Sequence, residues 1–122
     1  MKKTYIKNGI VVTENELKNS TIEITDGKIT DVEYKGVFPD DATIIDAKYQ
    51  YVMPGFVEIH AHGGGGFDYM DGTIEAFNTI TALHRNHGTT TILPTTVSCS
   101  LDAMLTMFET YKKVLKENTD NY

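Results

Sequence analysis

Two histidines two positions apart, His60 and His62, are the residues of this chain whose type and spacing best suit metal chemistry. They follow an apolar stretch over residues 56 to 59, which has the composition of a buried β-strand. Side chains alternate between the two faces of a strand, so both imidazoles can reach one point. Neutral imidazole is the commonest protein ligand for zinc and also suits iron, nickel and copper. The pair therefore predicts half of a metal site, since zinc normally needs three or four protein ligands.

The alternative is that both histidines are hydrogen-bonded core residues, and the residue types alone leave that alternative open. The run over residues 62 to 66 contains four consecutive glycines. So little side-chain bulk would leave access to a neighbouring site, and glycine also permits sharp turns and close backbone approach. The run is not a phosphate-binding loop, because it has neither the Gly-Lys-Ser/Thr sequence nor the Rossmann glycine spacing.

Four other titratable residues are interpreted as structural. His84 and His87 precede Gly88 at the expected end of a helix, where partial positive charge is favourable. Asp68 and Asp71 follow the glycine run and are expected to cap the next helix or to hold a loop. No catalytic role is assigned to any of them.

The composition is that of a globular domain, and its charge argues against nucleic-acid binding. The 122 residues are 40% hydrophobic and 23% charged, with a net charge of −6. No apolar run is long enough to span a bilayer, and no apolar segment of a secretory signal follows Lys2 and Lys3. The single cysteine, Cys99, cannot form an internal disulfide, which favours a cytoplasmic location. We expect Cys99 to be buried and not to act as a nucleophile.

Residues 1–53 predict a small antiparallel β domain. Asn8-Gly9 predicts a two-residue turn, and Asp26-Gly27 supplies the positive φ angles of a type I′ hairpin. The strand that returns from this hairpin breaks strict alternation, so a bulge is expected there. Strands are predicted over residues 21 to 25, 28 to 34 and 43 to 47.

Residues 54–122 predict alternating strands and helices. A buried strand over residues 56 to 61 precedes a helix over residues 74 to 83 that Gly88 is placed to end. A second strand over residues 90 to 93 precedes a helix that Ser100 caps. The buried face of this last helix is predicted to consist of Leu101, Met104, Leu105, Phe108, Tyr111 and Leu115. Strand, helix and strand in succession predict parallel pairing.

A β unit followed by Pro-Gly-Phe-x-x-x-His-x-His over residues 54 to 62 resembles the amidohydrolase superfamily. A narrower resemblance is to the N-acetylglucosamine-6-phosphate deacetylase family. It rests on His-Gly-Gly-Gly-Gly-Phe-Asp-Tyr-Met-Asp-Gly-Thr at residues 62 to 73 and on His-Gly-Thr-Thr-Thr-Ile-Leu-Pro-Thr-Thr at residues 87 to 96. The hairpin at residues 26 to 29 fits as well. The resemblance covers essentially the whole chain, as an N-terminal part of such an enzyme.

The resemblance implies an α/β fold: a small N-terminal β-sandwich-like unit, then the first two β/α units of an incomplete (β/α)8 barrel. It also implies that His60 and His62 bind a divalent metal ion, zinc or iron. The implied parent enzyme hydrolyses N-acetylglucosamine 6-phosphate to glucosamine 6-phosphate and acetate. The implied partners are this phosphorylated amino sugar and further copies of the protein, in a homo-oligomer, with no nucleic acid and no membrane.

Two departures from the family limit what these residues can do. Glu58 stands where the superfamily usually has Asp. A (β/α)8 barrel needs about 250 residues, and the other metal ligands and the catalytic Asp of the family come later in its sequences. No catalytic residue is therefore expected within this chain, and the 122 residues alone are expected to be inactive. The alternatives are part of another amidohydrolase, dihydroorotase-like or hydantoinase-like, and a non-enzymatic assembly module.

Overall fold

The computed structural model describes residues 2 to 117, which form two compact units with mixed α/β structure. The first unit ends at Pro54 and the second begins at Gly55. Within the described residues, no helix is long and apolar enough to cross a membrane.

The first unit contains one five-stranded mixed sheet. Its strands are β1 (Lys3–Val12), β2 (Leu17–Thr25), β3 (Lys28–Asp31), β4 (Thr43–Asp46) and β5 (Tyr51–Val52). The order is β3-β2-β1-β4, and β5 also pairs with β1. β2 and β3 pair antiparallel, whereas β4 and β5 both run parallel to β1. The prediction of an antiparallel unit therefore holds for β1, β2 and β3 and is wrong for β4 and β5, because the long connection between β3 and β4 brings the chain back to β1 in the direction of β1.

Asn8-Gly9 does not form the predicted turn. β1 continues through both residues, and its register with β2 shifts between Ile6 and Gly9. Asn8 has a φ of 55°. The left-handed conformation that predicted a turn is used instead by a β-bulge, which takes the same backbone geometry.

The second predicted turn is confirmed. Asp26 and Gly27 have φ angles of 48° and 79° and join β2 to β3. The expected bulge on the returning strand is also present, because Glu23 pairs with Asp31 whereas Ile24 pairs with Ile29. β3 ends at Asp31, three residues earlier than predicted.

The second unit consists of two parallel strands, a short hairpin and two helices. Its elements are β6 (Phe56–Ala61), β7 (Gly63–Gly64), β8 (Phe67–Asp68), a 3₁₀ turn (Tyr69–Asp71), α1 (Ile74–Asn86), β9 (Thr89–Pro94) and α2 (Leu101–Glu117). β6 pairs with β9 in parallel, as predicted, and α1 lies in the connection between them. The antiparallel hairpin of β7 and β8 was not predicted.

The two helices begin and end at residues suited to capping. The side chain of Thr73 accepts a hydrogen bond from the Ala76 N–H at the start of α1. After α1, Gly88 has a φ of 93°, in agreement with its predicted role. The Ser100 side chain accepts a hydrogen bond from the Ala103 N–H at 3.3 Å, which confirms the predicted cap of α2.

The buried face of α2 differs from the predicted one. Met107, Thr110 and Val114 are buried, whereas most of the predicted face is exposed. The Thr110 hydroxyl donates a hydrogen bond to the Gly72 carbonyl oxygen at 2.7 Å. The side of the helix that carries Thr110 therefore faces the core, and Leu101, Leu105 and Leu115 of the predicted face are exposed.

The core of the second unit lies between the helices and the end of β6. Its buried members are Ala61, Tyr69, Ala76, Phe77, Ile80, Met107 and Val114. Of β6, only Ala61 is buried, and Val57 and Ile59 are 63% and 70% exposed. The prediction of a buried strand is therefore wrong for this chain, because the described helices cover only the end of β6.

Candidate metal-binding site

The imidazole rings of His60 and His62 converge at the end of β6. Their Nε2 atoms lie 3.1 Å apart, and the ring planes meet at 71°. His60 is exposed and His62 is half-buried. The alternation along the strand thus brings both rings to one accessible point, as the sequence indicated.

The spacing of the two Nε2 atoms fits a shared divalent metal ion. Two nitrogens at 2.0–2.1 Å from a tetrahedral zinc ion lie about 3.3 Å apart. The observed separation of 3.1 Å is close to that value. The side chains could therefore occupy two adjacent ligand positions with little movement.

A main-chain carbonyl orients the ring of His62. Nδ1 of His62 lies 3.2 Å from the carbonyl oxygen of Thr95. A carbonyl oxygen can only accept, so Nδ1 carries the hydrogen and Nε2 keeps its lone pair for a metal. Thr95 is itself tied to the end of β6, because its N–H donates to the Ala61 carbonyl at 2.8 Å. Sequence reasoning missed Thr95, since any residue type supplies a carbonyl there.

Glu58 holds the backbone of the strand just before the histidines. Its carboxylate Oε1 accepts a hydrogen bond from the His60 N–H at 3.0 Å. The side chain that departs from the usual Asp thus interacts with the main chain of a candidate ligand.

The glycine run packs tightly against α1 and does not simply leave the site open. Gly65 and Gly66, with φ angles of 65° and 86°, form the turn of the β7–β8 hairpin. A Cβ on Gly63 would lie 2.1 Å from the Phe67 carbonyl oxygen, and one on Gly64 would lie 2.9 Å from Leu83 Cδ2. Glycine is therefore required at position 63 by close backbone contact and at positions 65 and 66 by their positive φ angles.

The carboxylates of Asp68 and Asp71 make structural hydrogen bonds. Asp68 accepts from the Met70 N–H at 2.8 Å, and Asp71 accepts from the Asp68 N–H at 2.9 Å, which together cap the 3₁₀ turn. This agrees with the predicted loop-holding role of both carboxylates.

His84 and His87 also contact carbonyl groups. Nε2 of His84 lies 3.4 Å from the Gly63 carbonyl oxygen, which links α1 to the hairpin. Nδ1 of His87 lies 2.8 Å from the Leu83 carbonyl oxygen, so the ring satisfies an acceptor at the helix end. Cys99 is exposed, contrary to the prediction that it is buried, because it lies in the connection before α2.

Two ligands are all that this site offers within residues 2 to 117. Over that range, no group of three or more His, Cys, Asp or Glu side chains is arranged to hold a metal ion. The geometry can therefore start a metal site but cannot complete one from the described part of a single chain.

No protein-family model matches the chain. An N-acetylglucosamine-6-phosphate deacetylase from Bacillus subtilis (strain 168) is 37% identical over 95 residues, which are 76% of this chain and 24% of that protein. A dihydroorotase from Staphylococcus aureus (strain Mu50 / ATCC 700699) is 32% identical over 117 residues, 93% of this chain and 26% of that protein. The chain thus spans about a quarter of the length of these curated relatives.

A solved structure supports the same resemblance. A mutant N-acetyl-D-glucosamine-6-phosphate deacetylase from Mycobacterium smegmatis, in complex with N-acetyl-D-glucosamine-6-phosphate, matches with a TM-score of 0.74 at 26% identity. The match covers 97% of this chain and 31% of that one. The predicted resemblance to the N-terminal part of the N-acetylglucosamine-6-phosphate deacetylases is confirmed.

Proposed function

We propose that this chain supplies the N-terminal part of a metal-dependent deacetylase that hydrolyses N-acetylglucosamine 6-phosphate to glucosamine 6-phosphate and acetate. The observation that carries the proposal is the convergence of His60 and His62 at 3.1 Å, at the end of a strand whose parallel neighbour is β9. Active sites of (β/α)8 barrels form at the carboxyl ends of such strands. The proposed protein works in the cytoplasm on a phosphorylated amino sugar.

In this proposal the histidines are ligands and their neighbours are positioning groups. When bound, a divalent ion such as zinc or iron polarises the acetamide carbonyl and lowers the pKa of a bound water to about 7. Nε2 of both rings would hold the ion, while the Thr95 carbonyl keeps the hydrogen of His62 on Nδ1 and Glu58 fixes the strand at His60.

We also propose that residues 1–122 do not catalyse this reaction by themselves. The described residues contribute two ligands, and the Glu58 carboxylate next to them in sequence accepts a hydrogen bond from the His60 main-chain N–H. In the proposed barrel, residues 1–53 form the small β domain and residues 54–122 begin the (β/α)8 part. Further strands would add the missing groups.

A chimeric enzyme tests the proposal. The matching segment of the B. subtilis deacetylase is replaced by these residues, and acetate release from N-acetylglucosamine 6-phosphate is measured together with metal content. We expect activity in the chimera and its loss in a His60→Ala/His62→Ala variant, whereas His87→Gln serves as a control that keeps both. A chimera whose rate and metal content do not respond to the double substitution would contradict the assignment.

The second candidate is a dihydroorotase, because that relative matches a larger share of the chain, though at lower identity. Grafting the same residues into the S. aureus dihydroorotase and measuring hydrolysis of dihydroorotate discriminates between the two. We expect the deacetylase chimera to keep the larger fraction of its parent's rate.

A further inference from the structure

Asn8-Gly9 is a motif of the sequence that the proposed function leaves unused. We propose that Asn8 is a modification site: its side-chain amide is lost by deamidation when the first unit opens, and the product weakens the pairing of β1 with β4 and β5. The reaction is spontaneous and takes only water from the solvent. The site lies in the first unit, and it does not depend on the metal role of His60 and His62.

The fold itself favours this reactive pair. Asn8 and Gly9 lie in β1 between its pairing with β4, which ends at Lys7, and its pairing with β5, which begins at Ile10. Asn8 takes the left-handed φ of 55° at the bulge, and asparagine adopts this conformation more readily than most residues. Gly9 is buried, and a Cβ there would lie 2.7 Å from Val52 Cγ2. The bulge and the close contact with β5 therefore favour Asn followed by Gly.

Deamidation of Asn-Gly is an intramolecular reaction. The main-chain nitrogen of Gly9 attacks Cγ of Asn8, and the new N–Cγ bond closes a five-membered succinimide ring. The Cγ–Nδ2 bond breaks, and Nδ2 leaves as ammonia with the proton given up by the Gly9 amide. Water then opens the ring at either carbonyl, which leaves an aspartyl or an isoaspartyl residue. Glycine suits the reaction best, because it has no side chain to hinder the attacking nitrogen.

The folded strand restrains the reacting groups. Nδ2 of Asn8 donates a hydrogen bond to Asp46 Oδ1 at 3.1 Å, and the Asn8 carbonyl accepts one from the Tyr49 N–H at 2.7 Å. To meet the Gly9 nitrogen, the Asn8 amide has to turn away from Asp46 while the buried Gly9 also shifts. Both changes require β1 to separate locally from its neighbours. The rate should therefore follow the population of the locally opened chain.

The product no longer fits beside β4. The hydrogen bond from the Lys48 N–H to Asp46 Oδ1, at 2.9 Å, followed by that from Asn8, holds the pKa of the Asp46 carboxyl below its usual value. An aspartyl product replaces a donor to this carboxylate by a second carboxylate, with Lys7 Nζ at 3.9 Å as a counter-charge. An isoaspartyl product lengthens the main chain by one carbon and turns the carbonyl that accepts from Tyr49 into a carboxylate. Either product therefore weakens this part of the sheet.

The reactivity is tested by ageing the tag-free 122-residue chain at neutral pH, in buffer and in concentrated guanidinium chloride. Tryptic digestion gives a peptide of residues 8 to 18, which carries Asn8 and, as an internal reference, Asn15 followed by Glu16. Tandem mass spectrometry then follows both asparagines. We expect Asn8 to react much faster than Asn15 in denaturant, and its rate to be lower by about tenfold or more in buffer. Equal rates at the two asparagines in denaturant, or an Asn8 rate that denaturant does not change, would overturn the proposal.

The effect of the product is tested by substitution. Asn8→Asp reproduces the aspartyl product and should lower the denaturation midpoint measured by circular dichroism. Asn15→Asp adds the same charge at an exposed position between β1 and β2 and should leave the midpoint nearly unchanged. The double variant Asn8→Asp/Asp46→Asn removes one of the two carboxylates and should recover part of the loss, even if Asn8→Asp alone does not fold. Equal midpoints for Asn8→Asp and Asn15→Asp, or no recovery in the double variant, would show that the product is not opposed by Asp46.

Discussion

His60 and His62 are positioned by main-chain contacts on both sides. The Thr95 carbonyl orients one ring, and Glu58 binds the N–H of the other residue. The types and spacing of the two histidines were sufficient to predict that they converge. The partner at Thr95 was not predictable, because a carbonyl group has no signature in the residue type and depends on where β9 ends.

Tyr5 provides a prediction about alkaline pH. The ring is buried, and its hydroxyl donates a hydrogen bond to Glu23 at 2.9 Å. Burial, followed by this bond, raises the pKa of Tyr5 to about 12, from an ordinary value of 10.0. Because the folded pKa is the higher one, the stabilisation is complete below pH 10 and is lost as the pH rises toward 12.

We therefore expect the urea midpoint of the wild-type chain to fall more steeply between pH 10 and pH 12 than that of Tyr5→Phe. The pKa of Lys3 is also raised by its hydrogen bond to Glu23, so both proteins lose some stability in this range. Tyr51→Phe, at an exposed position, should keep the wild-type slope. Equal slopes for Tyr5→Phe and the wild type would show that ionisation of Tyr5 is not coupled to folding.

At the scale of elements, the turn between β4 and β5 uses residues that are unsuited to it. Lys48 and Tyr49 have φ angles of 49° and 61°, and the Gln50 N–H donates to the Ala47 carbonyl at 2.8 Å. This left-handed pair is the geometry in which Asn-Gly is preferred. The Tyr49 side chain is 68% exposed, so its packing does little to offset the cost of the left-handed backbone.

Tyr49→Gly should stabilise the first unit. Removing Cβ relieves a cost of about 1–2 kcal/mol for a left-handed residue. The greater freedom of glycine in the unfolded chain offsets this gain, because it lowers the stability of the folded state by about 0.5–1 kcal/mol. We expect a net gain of about 0.5–1 kcal/mol in the free energy of unfolding, measured by urea denaturation. Tyr51→Gly, within β5, should instead lower it, and a loss in both variants would contradict this account of the turn.

The elements themselves were largely predictable, and the exceptions have identifiable causes. Alternation and turn residues predicted the β2–β3 hairpin, and helical spacing with Ser100 and Gly88 predicted both helices. Asn8-Gly9 was misread, because a bulge and a hairpin turn use the same φ angle. The buried face of α2 was misread because that face includes Thr110, a polar residue that apolar spacing does not mark and that hydrogen-bonds to Gly72.

At the scale of the whole molecule, the second unit exposes apolar surface that ordinary domains cover. β6 pairs only with β9 among the described strands, and Val57 and Ile59 are largely exposed on it. Periodicity can show which residues are apolar, but it cannot show whether a covering element exists. The prediction of burial failed for that reason.

These side chains should drive self-association without metal. A contiguous apolar surface on a strand with a free edge promotes association. We expect Val57→Thr/Ile59→Thr to lower the mass measured by light scattering at high protein concentration with a chelator present. Ile29→Thr, which changes an exposed residue of β3, is the matched control and should have no such effect. An unchanged mass in the double variant would place the association elsewhere.

The glycine hairpin on α1 also has a genetic consequence. Any single-base change that replaces a glycine adds a side chain, and at Gly63 or Gly64 that side chain meets the Phe67 carbonyl or Leu83. Replacement of Gly63 should be the least tolerated of these changes, because the contact there is with backbone, whereas the Leu83 side chain beside Gly64 can move.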